Sequence, residues 1–166
     1  MQQKINKKLT KRGEKMYKDM LQADLIRLDC NVSEHTDLFQ LVGKELKEKQ
    51  YVTDQYIEAL LEREREFPTG LKTRHVNIAI PHTDPHVIEE PFIYVVKNRQ
   101  PIAMLQMGDN SEMTCQYFLF LGIKDPKGQV GLLAALMEVF SQETFAQQFI
   151  QAETPVDMYQ LLNQYL

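Results

Sequence analysis

Apolar and polar positions along the chain fall into two alternating rhythms. Residues 24–30 (DLIRLDC) set Leu25, Leu28 and Cys30 in a loose alternation, which predicts a short strand. From Ser33, whose hydroxyl suits an N-cap, the rhythm changes. Leu38, Leu41, Val42 and Leu46 recur at i, i+3, i+4 and i+8, the stripe of a helix running to Lys49. A second helix is expected from a cap at Thr53, with Tyr56, Ile57, Leu60 and Leu61 inward and the charges of Glu62–Glu66 outward. Phe67-Pro68-Thr69-Gly70 ends it and turns the chain. Three β-prone runs follow: Val76–Ile80, stopped by Pro81, then Phe92–Val96 and Ile102–Met107, joined by a turn at Asn98-Arg99-Gln100. Cys115–Ile123 is almost continuously apolar, the pattern of a central strand buried on both faces.

The remainder reads as helical. Asp125-Pro126-Lys127-Gly128 is a turn, and the helix after it should bury Leu132, Leu133, Leu136, Met137 and Phe140. Ser141 can start another, carrying Phe145 and Phe149. The last has Thr154 as cap, Pro155 at its first position and Asp157 near the positive helix start, with Met158, Leu161, Leu162 and Tyr165 as its apolar face. Two early helices, a block of strands and three late helices imply an α/β fold. The expected architecture is a three-layer α-β-α sandwich, with a mixed, mostly central sheet of about five strands and helices on both faces.

Composition adds constraints. A chain of 166 residues suits one domain, able to bury roughly 70% of its unfolded surface without metals or disulfides. Cys30 and Cys115 are far apart and form no CxxC pair, so two reduced, buried thiols in a cytoplasmic protein are expected. No apolar run is long enough to cross a membrane, and no apolar segment follows the basic start as a secretory signal would require. The net charge of −4 is unevenly spread. Residues 1–20 carry seven basic side chains against two acidic, and read as a basic arm or frayed helix before a single domain at 21–166. The arm lacks interleaved aromatics and a clear apolar stripe, so neither nucleic-acid binding nor membrane insertion is expected.

Of four histidines, His35 reads as a solvated helix residue and His75 has no evident partner. His82 has a different context. It follows an apolar strand and Pro81, at a strand end where ligand sites in α/β sheets gather. Pro81 fixes its own φ and holds Ile80 extended, which limits where the imidazole can go. One ring nitrogen can be pinned by a hydrogen bond while the other attacks phosphorus; on these residues alone, a satisfied structural histidine is the other outcome. His82, Asp84 and His86 also raise a metal-dependent hydrolase as a competing function. A catalytic zinc wants three protein ligands and an open position, and Pro85 breaks helical geometry between the two histidines. No metal or other cofactor is expected.

The stretch Arg63-Glu64, then Pro68-Thr69, then Ile78-Ala79-Ile80-Pro81-His82 resembles the enzyme IIA domain of the fructose–mannitol type in the bacterial phosphoenolpyruvate-dependent sugar phosphotransferase system. Ile80–Pro85 and Leu121–Pro126 are most similar to the galactitol branch. The resemblance covers about residue 22 to the last residue. It implies that HPr donates a phosphoryl group to His82 at Nε2, that enzyme IIB accepts it on a cysteine, and that Arg63 stabilises the group in transit. A guanidinium suits that task because it is permanently charged and can hold two phosphoryl oxygens. Mannitol-type members carry a second histidine where this chain has Gln129, whose amide can bond a phosphoryl oxygen but cannot carry a proton charge. Thr83 can offer a hydroxyl to the phosphoryl group or serve only as loop; Asp84 can orient His82 or cap the next turn. A regulatory module of the same fold, read out through phosphorylation of His82, is the alternative role.

Overall fold

The computed structural model describes residues 17–166. The expected basic arm therefore lies outside the described residues except for Tyr17–Met20, which are helical, with Tyr17 and Met20 packed on the core. Five strands, β1 (Leu21–Cys30), β2 (Gly70–Lys72), β3 (Asn77–Ala79), β4 (Phe92–Leu105) and β5 (Glu112–Gly122), form one sheet ordered β1-β4-β5-β3-β2. β1 with β4 and β3 with β5 are parallel; β4 with β5 and β2 with β3 are antiparallel. The sheet is mixed, as expected. Helices α1 (His35–Glu48) and α2 (Tyr56–Glu66) cover one face, and α3 (Pro126–Phe140), α4 (Glu143–Gln151) and α5 (Pro155–Tyr165) the other.

The unbroken apolar run of β5 now has its cause. Tyr117, Leu119 and Leu121 point towards α3–α5, while Phe118 and Phe120 point towards α1 and α2, and all are buried. Phe120 meets Phe39 of α1 edge-on at 5.3 Å between centroids, and Phe149 of α4 meets Tyr117 at 4.9 Å. Such contacts add to the area effect that drives both layers onto the sheet.

Several local expectations change. The two strands expected at 92–96 and 102–107 are one, β4, with a register shift between Lys97 and Ile102. The fully buried Asn98 bridges the irregularity: its Oδ1 accepts from Val32 N–H (2.9 Å), and its amide donates to the carbonyls of Val32 (2.9 Å) and Gln100 (2.7 Å). A side-chain amide thus does the work of a peptide, so the expected turn never forms. The caps also move. Glu34 and Gln55, not Ser33 and Thr53, precede α1 and α2, and neither makes a side-chain cap bond. Asp125 caps α3 by accepting from Lys127 N–H (3.1 Å), so the expected turn at 125–128 is the helix start. Ser141 closes α3 rather than opening α4. Met137 is 50% exposed, off the inward face. Thr154 and Pro155 open α5 as expected.

β2 was not anticipated. It pairs with β3 as Gly70–Ala79, Leu71–Ile78 and Lys72–Asn77, and the hairpin is closed by a bend in which Thr73 N–H donates to Val76 O (3.3 Å). Gly70 is needed for space: a Cβ there would lie 2.5 Å from the Leu105 carbonyl oxygen of β4. This hairpin brings the end of α2 beside the end of β3.

Candidate functional site

α2 ends at Glu66, and the chain passes through Phe67-Pro68-Thr69 into β2. Because β2 runs antiparallel to β3, Thr69 lies against the carboxyl end of β3, where its carbonyl accepts from Ile80 N–H (3.1 Å). On the other side of Ile80-Pro81-His82 runs β5, whose Leu121 N–H donates to Pro81 O (3.0 Å), and His82 bridges Leu121 in parallel register. The histidine therefore sits where two parallel strands end, the location that gathers ligand sites in α/β sheets.

The His82 ring is half-buried, and its Nδ1 lies 2.7 Å from the Ile80 carbonyl oxygen. A carbonyl can only accept, so Nδ1 carries the proton and Nε2 keeps its lone pair. Burial holds the ring's pKa below the ordinary histidine range. The Ile80 carbonyl works against this, the Arg63 charge adds to the lowering, and Asp84 opposes it. The result is a neutral imidazole with a fixed tautomer and one free nitrogen, the form a nucleophile requires.

Arg63 comes from the last turn of α2, its guanidinium 4.5 Å from the centroid of the exposed Phe67 ring. Its Nη1 is 3.3 Å from Asp84 Oδ1, and its buried Nε has no hydrogen-bond partner. Stacking and pairing hold the guanidinium in place, with its charge acting on His82. Arg63, His82 and Asp84 are thus brought together.

The other expected residues stand differently. Asp84 makes no cap bond to the short 3-10 turn Pro85–Val87, and its carboxylate faces Arg63. Thr83 is 3% exposed, and its hydroxyl donates to the Asp84 carbonyl (3.1 Å), so it is spent inside the loop. Gln129 lies on the first turn of α3, which follows the carboxyl end of β5, and its N–H is bonded to Asp125 O (3.0 Å). Among the described residues no three His, Cys, Asp or Glu side chains converge as metal ligands. Cys30 and Cys115 are free and buried, and burial pushes the Cys115 thiol up to about 12. His35, expected on a solvated face, is half-buried and meets Phe39 edge-on at 5.4 Å.

Glu64, expected to face outward with the other charges of Glu62–Glu66, is buried instead against Thr69. Glu64 is 7% exposed and accepts from Thr69 twice, at N–H (2.9 Å) and at the hydroxyl (2.7 Å). The signal was present: Tyr56, Leu60 and Glu64 recur every four residues, so a carboxylate stands on the buried stripe of α2.

Residues 19–165 match the family described as Phosphoenolpyruvate-dependent sugar phosphotransferase system, EIIA 2. The chain belongs to this family. As an EIIA component it is a phosphotransferase protein that relays phosphoryl groups. It is 26% identical over 125 residues to the PTS system galactitol-specific EIIA component of Escherichia coli (strain K12), a match spanning 75% of this chain and 83% of that one. Its fold is similar to Nitrogen Regulatory Protein IIA-Ntr from Neisseria meningitidis, with TM-score 0.73, 21% identity, and 89% of this chain and 99% of that one covered. It is similar also to enzyme IIAMTL of Escherichia coli in its complex with phosphorylated enzyme IIBMTL, with TM-score 0.72, 16% identity, and 87% and 97% covered. The EIIA fold therefore stands behind the resemblance read from the motifs. No helix among the described residues is long and apolar enough to cross a membrane.

Proposed function

We propose that residues 21–166 act as one cytoplasmic EIIA domain in which His82 accepts a phosphoryl group from HPr and passes it to the cysteine of a cognate enzyme IIB, serving uptake of a galactitol-like sugar alcohol. The observation that carries this is the Nδ1-to-Ile80 contact at 2.7 Å, which leaves Nε2 as the nucleophile. The sugar class rests on the similarity to galactitol-specific EIIA components.

In the first transfer the Nε2 lone pair bonds to phosphorus, the donor's P–N bond breaks, and its electron pair returns to the donor ring. His82 gains positive charge as it bonds, and the Ile80 carbonyl facing Nδ1–H stabilises that charge. Arg63 offers the charge of its guanidinium, and the Nη1 now held by Asp84, to the phosphoryl oxygens. The guanidinium that repels a protonated His82 attracts a phosphorylated one, so the same residue favours both the neutral acceptor and the loaded carrier. The amide of Gln129 and the start of α3 supply further polarity on the β5 side. In the second transfer the partner's thiolate attacks phosphorus and the P–Nε2 bond breaks. Positioning and charge suffice, without a metal in this chain.

The test is to incubate the protein with phosphoenolpyruvate, enzyme I and HPr, then repeat with His82→Ala. Wild type should take up one labelled, acid-labile phosphoryl group, and the variant none; undiminished labelling of His82→Ala would end the proposal. Chasing the loaded protein with enzyme IIB should discharge it.

A further inference from the structure

We propose that Glu64 is a positioning residue for the phosphoryl-accepting histidine, acting through Thr69 and Ile80. This rests on the reading of His82 given above. The links are continuous. Glu64 Oε1 and Oε2 accept from the N–H (2.9 Å) and hydroxyl (2.7 Å) of Thr69. Thr69 O accepts from Ile80 N–H (3.1 Å), and Ile80 O accepts from His82 Nδ1–H (2.7 Å). Pro81 restricts the Ile80 carbonyl further, and Leu121 N–H holds the Pro81 carbonyl from the β5 side.

The chemistry at Glu64 is more than a pin for a turn requires. A carboxylate accepts both Thr69 bonds at once, whereas a glutamine amide has one acceptor oxygen. Glu64 and Thr69 are 7% and 1% exposed, and among the described residues no Lys, Arg or His forms an ion pair with Glu64. An unpaired buried carboxylate is expensive to keep. Both bonds fall on Thr69, the residue before β2, whose own carbonyl accepts from Ile80 N–H. Glu64 also lines a cavity of about 1060 Å³ with His35, Leu61, Arg65, Pro68 and Lys72, and neither His82 nor Arg63 is part of that lining.

Loosening Thr69 would let the Ile80 carbonyl swing away from Nδ1. The ring would then be free to hold its proton on Nε2, the nitrogen that must attack. Losing that preset geometry should cost rate, while donor docking, which Glu64 does not touch, should stay.

The experiment compares wild type with Glu64→Ala, Glu64→Gln and Thr69→Val. In the free proteins, ¹⁵N signals of the His82 ring report which nitrogen carries the proton. Wild type should be almost wholly Nδ1–H. Glu64→Ala and Thr69→Val should show a growing Nε2–H share, and Glu64→Gln, which keeps one acceptor oxygen, should lie between wild type and Glu64→Ala. With phospho-HPr, kcat should fall at least about tenfold in Glu64→Ala with KM unchanged, and Glu64→Gln should restore part of it. Thr69→Val exchanges the hydroxyl for a methyl group and carries the test should Glu64→Ala not fold. An unaltered Nδ1–H tautomer in the folded variants, or an altered tautomer with unaltered kcat, overturns the inference. Wild type that takes no label overturns the reading of His82 instead, and the ring spectra still decide the role of Glu64.

Discussion

At the scale of single residues, the site is an exercise in keeping one imidazole neutral. His82 has a folded-state pKa below its unfolded value of about 6.5, chiefly from burial. The unfolded chain therefore binds the proton more readily, and stability is lost as pH falls through about 6.5 towards the folded pKa, then stays at the lower level. An NMR titration of the ring should find a midpoint below that of a free histidine; a midpoint above it would contradict the buried, Arg63-facing environment. Arg63→Ala should slow phosphoryl acceptance at least about tenfold, the scale for losing one charge-stabilising group. Arg63→Lys should fall between, because an ammonium keeps the charge and loses the fork. A wild-type rate for Arg63→Ala would return it to the solvated surface. Glu64 runs the opposite way: burial pushes it up to about 7, against the two Thr69 bonds. Its cost is absent below about pH 4.5, grows as pH rises and reaches about 3 kcal/mol above pH 7. His82 and Arg63 were legible because a histidine after proline and a motif arginine advertise themselves in the letters. Glu64 was hidden among the charges of Glu62–Glu66, where only the four-residue recurrence with Tyr56 and Leu60 separates it from its solvated neighbours.

At the scale of elements, the β2–β3 hairpin joins two motifs that are eleven residues apart, at Thr69 and Ile80. Three residues of β2, one a glycine, hold too few positions to show alternation, so the strand is defined by its partner rather than by its own sequence. β4 was split on paper because Asn98-Arg99-Gln100 has the composition of a turn, and the bonds of the buried Asn98 to Val32, with those from the Gln116 amide to the Asn98 and Arg99 carbonyls, keep the chain extended. Elements with long apolar stripes or sharp caps, such as α1, β5 and α5, needed no such help. Gly70→Ala tests the hairpin. Its Cβ would press on the Leu105 carbonyl and strain the bond from Met107 N–H to Gly70 O (2.7 Å). It should lower the unfolding midpoint and slow phosphorylation together, with a stability loss of about 1–3 kcal/mol. A variant with unchanged melting and rate would mean β4 yields easily.

At the scale of the whole molecule, one sheet divides two apolar cores, and the site draws its side chains from the α2 layer and the loop after β3. That layering followed from the order of helical and extended segments, while the strand order β1-β4-β5-β3-β2 did not, because pairing between distant segments leaves no mark in a single sequence. The bend at Thr73–Val76 sits at the far tip of the hairpin from Thr69 and Ile80. Chain added there leaves every pairing between Gly70–Ala79 and the sheet unchanged, so a short glycine–serine insert or an epitope between Arg74 and His75 should be accepted with near-normal phosphorylation. A single residue removed between Glu64 and Thr69 should instead abolish it. The length of this protein is free to vary at one end of a three-residue ribbon and fixed at the other, which makes the bend a natural place to attach a reporter.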